Sequence, residues 1–391
     1  MDKIKEIVSD ELFSWIRQIR RTIHEEPEVG FKEYKTGELI ARHLDWLGIE
    51  HISGVARTGV VGRLITDALR PTVALRADMD ALPLTEETGL PFASKVKGVM
   101  HACGHDGHVA ILLGAARILK ANPPPGNVVF IFQPNEEGSG GARPMIEEGI
   151  IKGIDVIYAA HLDSHYATGE VAIRPGVNTA YTDTFEVQIV GMGGHGARPH
   201  EAVDAVMIAC QIAIQLQLIV SRELDPLQPA VVTIGQLHAG TVSNAIAERA
   251  LLRGTIRTTS DSIRQRIIQR MSVIASAFST LNNATVEVRH FEGYPPVVNH
   301  QQEYEIVREV AQYLLGKEKI VDIPVPSMGG EDFSYFLNEA PGCFYRIGAS
   351  IGPAPGHPMH SPRFDFDEEA LRIGAAFMAE LVTTTLKKKT K

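Results

Sequence analysis

The residues able to do chemistry crowd into one short stretch, VMHACGHDGHVA, at positions 99–110. Cys103 and His105 stand two apart in a glycine-containing loop, so both can face one side. A thiolate and an imidazole are good ligands for zinc or another borderline divalent ion. The same pair could instead be a thiol nucleophile with a histidine base, or a polar loop without chemistry. A second group lies in QPNEEGSGGA, residues 133–142. Glu136 and Glu137 are adjacent just past an apolar run, where neighbouring side chains point opposite ways. One carboxylate can therefore hold a metal while the other faces a water. An isolated glutamate pair is ordinarily just solvated, but these surroundings are glycine-rich and otherwise uncharged. His161 ends the apolar run VIYAA, and His360 lies in the Pro/Gly loop GHPMHSP. Either alone reads as a core or loop histidine. His101, His108, His165 and His357 are the neighbours expected to have no ligand role.

These groups need a scaffold. Three β-rich runs, TVAL (72–75), NVVFIF (127–132) and DVIYAA (155–160), each lead into polar residues: RADMDALP, QPNEEGSGG and His161. The apolar run after Asp106 reads as a buried helix with Asp106 as its N-cap. Strand, helix, strand with functional groups beyond the strand C-termini is the α/β pattern. From residue 181 the texture changes. TDTFEVQIVG alternates as a half-buried strand should. A helical run (Ala202 to Glu223), two strands (230–237 and 250–258), a helix from Asp261 to about Leu281 and a last strand (284–291) follow. That βαββαβ order fits a ferredoxin-like α+β module inserted as its own domain. YPPVVN (294–299) reads as the linker back. The expected domains are residues 1–180 with 294–391, interrupted by 181–293.

A chain of 391 residues suits two domains. With 44% hydrophobic and 22% charged residues it has a globular composition. A net charge of −9 argues against a broad nucleic-acid footprint, and the terminal KKKTK reads as a solvated tail. Ile4, Ile7, Val8, Leu12 and Ile16 follow amphipathic spacing among charges, unlike a signal-peptide core. No run of about 18 apolar residues appears, so no membrane span is expected and the cytoplasm is the expected compartment. Three cysteines make no disulfide framework. Cys210 and Cys343 sit in apolar runs and are expected in the core.

Six stretches carry a resemblance, in order: RADMDALP, MHACGHDGHVA, FQPNEEGSGGARPMIEEG, GHGARPH, GGEDFSYF and MHSPRFDFDEEAL. Together they resemble the aminoacylase/carboxypeptidase family of metallopeptidases. The nearest branch is the amidohydrolases that include hippurate hydrolases and plant auxin-conjugate hydrolases. The likeness spans nearly the whole chain. It implies a zinc-peptidase-like α/β/α catalytic domain, split by a lid and dimerisation domain, in a homodimer or higher homo-oligomer. It implies two divalent ions, with zinc or manganese foremost and cobalt or nickel also compatible. Cys103 takes the bridging place that an aspartate holds in other branches, and His105, Glu137, His161 and His360 complete the ligands. Other branches carry a histidine ligand in a His-x-Asp motif where this chain has Arg76 and Asp78. Arg76 is therefore left out of the ligand set, and Asp78 is expected to orient a ligand histidine from behind.

Under the same resemblance, Glu136 is general base and then general acid toward a metal-activated water. His195 polarises the scissile carbonyl, while Asn244 and Arg257 hold the substrate's carboxylate and amide. The implied substrate is an N-acyl amino acid or related small amide, cleaved to a carboxylic acid and an amino acid. Three other readings stay open. These are a dipeptidase or carboxypeptidase on the same scaffold, a metal-free Cys103–His105 thiol hydrolase, and a non-enzymatic metal-binding protein. Two departures from the branch stand out: HLDSHYATGEV after His161, and Asn135 before the glutamate pair.

Overall fold

Runs such as NVVFIFQ are buried along their whole length, so they cannot alternate polar and apolar residues; both faces are covered. The computed structural model describes residues 2–352 and 355–390. Six strands precede the insertion: β1 (Glu50–Val55), β2 (Gly59–Leu64), β3 (Thr72–Asp78), β4 (Asn127–Gln133), β5 (Val156–Ala167) and β6 (Val171–Ile173). The longer strands within it are β7 (Tyr181–Val190), β8 (Ala230–Ala239), β9 (Arg249–Thr258) and β10 (Thr285–Phe291). β11 (Ile320–Asp322) and β12 (Gly342–Ser350) follow.

The first unit comprises Met1–Gly176, Val297–Val325 and Asp332–Lys391. Its core is an eight-stranded mixed sheet in the order β1-β2-β4-β3-β5-β12-β6-β11. The central strands β4, β3, β5 and β12 run parallel, so the C-terminal ends of β3, β4 and β5 meet at one edge, where open α/β sheets collect ligands. Val73 and Leu75 face one helical layer and Ala74 the other, giving an α/β/α sandwich. One layer contains the helices Asp10–Glu25, Tyr34–Leu47, His105–Ala121, Gln301–Leu314 and Glu369–Lys389; the other contains the short helices Ala142–Glu147 and Ser334–Glu339.

The helix His105–Ala121 is buried on nearly every side, as expected for a helix between a sheet and other helices. It does not begin as the sequence suggested. Its N-cap is Gly104, at φ 87°, a left-handed conformation that glycine adopts at little cost. Asp106 lies inside the first turn, and its carboxylate is held by Arg20 Nε (2.9 Å) and His24 Nδ1 (2.8 Å). β5 also differs, running six residues past His161 to Ala167 instead of ending there. The basic C-terminus is helical through Lys389, with Lys388 paired to Glu309; Lys391 lies outside the described residues.

The second unit comprises Val177–Pro296 and Pro326–Glu331. Phe185, Val187 and Ile189 are buried in alternation along β7. The antiparallel sheet has the order β8-β9-β7-β10, which with helices Ala205–Leu218 and Asp261–Asn282 makes the ferredoxin-like arrangement. A two-residue ribbon pairs Gly194–His195 with Ala245–Ile246, beyond the six expected elements. By length and composition alone the stretch Ala205–Glu223 could cross a membrane, as core helices of globular proteins also can. Ala205, Ile208, Ala209, Ile212 and Leu216 nevertheless fill this unit's core. Cys210, expected in the core, is exposed, whereas Cys343 is buried as expected. The helix is apolar all round, so periodicity could not say which face turns inward.

Candidate metal centre

Cys103 and His105 flank Gly104 at the start of the helix His105–Ala121. Glu136 and Glu137 follow β4, His161 lies within β5, and His360 comes from the loop before the last helix. The fold brings these residues together. Cys103, His105 and His161 offer ligand atoms within 4.8 Å of one another, and so do Cys103, Glu137 and His360. Cys103 belongs to both triads, so one sulfur can serve two ions. His105, Glu136 and Glu137 form a third such group, which sets the Glu136 carboxylate beside the ligands.

Hydrogen bonding decides which ring nitrogens face the site. His105 Nδ1 lies 2.9 Å from the carbonyl of Asp80, and His161 Nδ1 lies 2.7 Å from the carbonyl of Leu162. A carbonyl only accepts, so each Nδ1 carries a proton and each Nε2 is the nitrogen turned to the site. Burial lowers the His105 pKa, but the Asp78 and Cys103 charges outweigh it and hold it well up, so there an ion would displace a proton from Nε2. His161 Nε2 is 3.4 Å from Cys103 Sγ. His105 Nε2 is buried without a hydrogen-bond partner among the described residues. Buried polar atoms are rarely left so, and one aimed into a cluster of thiol, imidazole and carboxylate fits a divalent ion. His360 Nε2 lies 3.0 Å from Glu137 Oε1, and its backbone amide donates to Ala102 O. His360 stands at φ 65° and its side chain is 56% exposed, whereas His105 is 1% exposed.

Burial pushes the Cys103 thiol well up, and Glu137 adds to it, against the opposing pull of His105. A catalytic thiol nucleophile needs the reverse, a lowered pKa. That disfavours the metal-free thiol hydrolase. Burial and the neighbouring His108 push His161 well down, keeping it neutral as a ligand must be. Glu137 is held below the usual carboxylate range; burial opposes this, and the His360 hydrogen bond and the His105 charge outweigh it.

The supports were less legible. Asp80 was missed in the sequence, although it stands two residues past Asp78 in RADMDALP. Its two carboxylate oxygens accept the amides of Glu136 and Glu137, each at 3.0 Å, while its carbonyl holds His105. One residue thus clamps the glutamate turn and a ligand ring. Asp78 does not orient a ligand ring through its far nitrogen. It bonds His108 Nδ1 (2.5 Å) and Arg76 Nη1 (2.5 Å), with His105 Nε2 3.7 Å away. Arg76 also reaches Gln133 and Asp332.

Asn135 adopts φ 55°, which asparagine tolerates better than most residues. Its amide oxygen fills the space that a Cβ on Gly30 would occupy, 1.8 Å away. In HLDSHYATGEV, Asp163 accepts from Arg346 Nη1 (2.9 Å) and pairs with His165 Nδ1 (2.7 Å). His101 is buried with neither ring nitrogen hydrogen-bonded among the described residues, and His357 meets Ser164 through its backbone carbonyl.

In the second unit, His195 and Asn244 meet at the small ribbon, where the Gly196 amide donates to Asn244 O. His195 Nδ1 accepts the amide of Ala197 at 3.0 Å, so the neutral ring carries its proton on the exposed Nε2. Arg257, on β9, bonds the carbonyls of Asp183 and Ile256 and has no carboxylate partner among the described residues. The Asp183 carboxylate is taken by Arg264.

Comparison with known proteins agrees with this geometry. The profile of Peptidase family M20/M25/M40 matches residues 74–384. The chain is 43% identical to thermostable carboxypeptidase 1 of Saccharolobus solfataricus, across 96% of this chain and 97% of that protein. It is 41% identical to IAA-amino acid hydrolase ILR1-like 2 of Arabidopsis thaliana, across 97% and 87%. A Bacillus subtilis structure described as a dinuclear metal binding peptidase from the M20 family superposes with a TM-score of 0.85 at 33% identity, covering 97% of this chain and 99% of that one.

Proposed function

The chain belongs to peptidase family M20/M25/M40, and from that premise we propose that this metal-dependent hydrolase is an N-acyl amino acid amidohydrolase. The observation that carries the reading is the pair of ligand triads sharing Cys103, with Glu136 alongside. Two divalent ions, when bound, polarise a scissile carbonyl and acidify a water to a pKa of ~7. Thiolate, imidazole and carboxylate donors suit zinc, manganese, cobalt or nickel.

The chain's own groups supply the remaining steps. Glu136, held by Asp80 through its backbone amide, accepts a proton from the attacking water and delivers it to the departing amine. The exposed Nε2–H of His195 donates a hydrogen bond to the carbonyl oxygen as negative charge develops there. Arg257, lacking a carboxylate partner, binds the carboxylate of the released amino acid, with Asn244 holding the amide.

A dipeptidase needs an acid to receive the substrate's free ammonium. Asp78, Asp80 and Asp163, three of the buried acids near the ligands, are already held by protein donors. That favours a blocked nitrogen, as in the compounds named for the Arabidopsis relative. The carboxypeptidase reading retains support from the Saccharolobus relative. The free thiols Cys103, Cys210 and Cys343 suit a reducing compartment such as the cytoplasm. Self-association is proposed through β8, an edge strand exposing Val231 and Leu237, and the helix beside it, which exposes Met207 and Ile214.

The test is turnover after metal stripping. Chelator-treated protein is assayed on N-acetyl and N-benzoyl amino acids, N-blocked dipeptides and free dipeptides, before and after single divalent ions are restored. Glu136→Ala serves as the control. Activity on N-acyl amino acids that returns with metal and is missing from the variant supports the proposal. Preference for blocked dipeptides moves the assignment to carboxypeptidase, and chelator-resistant turnover returns the chemistry to Cys103.

A further inference from the structure

We infer that His108, Asp78, Arg76 and Asp332 form a positioning relay that fixes His161 through the backbone of Leu162. The inference rests on reading the cluster as a metal centre and assigns work to residues that the proposed mechanism leaves unused.

Pairing of β5 with β3 ends at Ala159 while β12 stays paired along its other edge to Asp163, so amides turned toward β3 beyond that point need other acceptors. The amide of Leu162 donates to His108 Nε2 at 2.9 Å. That nitrogen therefore holds the lone pair, and the proton sits on Nδ1, which donates to Asp78 Oδ1 at 2.5 Å. The carbonyl of Leu162 accepts from His161 Nδ1 at 2.7 Å. Residue 162 is thus held at both polar atoms by a histidine, one of which faces the metals.

Asp78 is held in turn. Its Oδ2 receives Arg76 Nη1 at 2.5 Å, and Arg76 Nη2 reaches Asp332 Oδ1 at 3.0 Å. Asp332 Oδ2 accepts the amides of Gly141 and Ala142. Every side chain in this line is at most 2% exposed. The line ties β3, the turn after β4 and the helix His105–Ala121 to the point on β5 next to His161.

A rival reading would place a third ion among Asp78, His105 and His108, whose ligand atoms also lie within 4.8 Å of one another. The Leu162 amide opposes it. Metal on His108 Nδ1 would shift the ring proton to Nε2, where it would face the N–H of Leu162, donor against donor. His108 is therefore a support and not a ligand.

The experiment titrates metal-free protein with Co2+ by calorimetry and by absorption, following the thiolate-to-cobalt band that reports Cys103. Two variants divide the roles of His108. In His108→Gln the amide oxygen can still accept from Leu162; in His108→Asn it is too short to reach. Expected is a loss of ~10–100-fold in affinity for one of two cobalt equivalents in H108N, and a smaller but measurable loss in H108Q, which keeps the Leu162 bond and gives up the one to Asp78. The other equivalent stays unchanged, and Cys103 still gives a thiolate band with it. Wild-type binding in H108N, or H108Q as weak as H108N, overturns the relay. If H108N does not fold, Arg76→Lys is read instead; its ammonium cannot span both Asp78 and Asp332, and wild-type affinity in R76K is equally fatal. Because no turnover is measured, the two ideas fail separately. A wild-type chain that binds two cobalt ions but cleaves no amide removes the proposed function and leaves the relay standing. One that takes up no ion removes both.

Discussion

Raising the pH withdraws a proton from His24, and the structure sets the direction and size of the resulting loss of stability. His24 lies on the helix Asp10–Glu25, buried, with Nδ1 2.8 Å from Asp106 and Nε2 3.4 Å from Glu86. Burial alone would lower its pKa, but the Asp106 charge and hydrogen bonds to Asp106 and Glu86 outweigh it and raise the value to about 9. A folded value above the unfolded 6.5 means that the folded chain binds this proton more tightly. The stabilisation is therefore complete below pH 6.5 and disappears as pH rises through about 9. At ~1.36 kcal/mol per unit, that rise is about 3 kcal/mol, or roughly 5 °C in melting temperature for a unit of this size. Asp106 is held well below the carboxylate range; burial opposes this, and Arg20 and His24 outweigh it. It stays ionised throughout, so the window belongs to His24. Scanning calorimetry of wild type and His24→Gln across this window provides the assay. The gap between them should be widest near the acid end and close at the alkaline end. A gap independent of pH would refute the reasoning.

Metal removal should proceed in two stages. His105 and His161 are buried with their tautomers locked, whereas His360 is exposed on a loop, so a mild chelator should strip one equivalent first. His360→Ala should retain a single tightly bound ion, as counted by elemental analysis after gel filtration. Asp80→Asn sets an NH2 group against an amide that the carboxylate now accepts. With Glu136 displaced, kcat should fall by about 100-fold while the circular dichroism spectrum is unchanged; a fall below threefold would remove Asp80 from the site's support. At Asn135, alanine should cost about 1 kcal/mol for its left-handed backbone and glycine close to nothing, read as melting temperature. Equal loss in both variants would show that the Asn135 side chain, not its φ, carries the effect.

The cluster of proposed ligands was legible because their chemistry is uncommon in combination. A cysteine and histidine beside a helix start, a glutamate pair after one buried strand and a histidine within another have few uses in common. The central sheet was legible too, since parallel strands buried on both faces leave continuous apolar runs. What escaped depends on partners remote in sequence. Asp106 has the identity of a helix cap, but Arg20 and His24 on another helix claim it, and the helix opens on the left-handed Gly104 instead. Cys210 escaped because its helix is apolar on every side. His108 and Asp80 escaped for a subtler reason. Which nitrogen of an imidazole holds the lone pair is set here by peptide groups: the carbonyls of Asp80 and Leu162, and the amide of Leu162. Every residue has those groups, so they leave no mark in the sequence. The same ring type is therefore placed as a proposed ligand at 105 and 161 and a proposed support at 108, according to whether its Nδ1 or its Nε2 meets the backbone. At 105 and 161 a carbonyl takes the Nδ1 proton and turns Nε2 toward the candidate metal centre. At 108 an amide takes the Nε2 lone pair and turns the proton toward Asp78. Residue types alone could nominate all three histidines, and only the path of the backbone past each ring separates them.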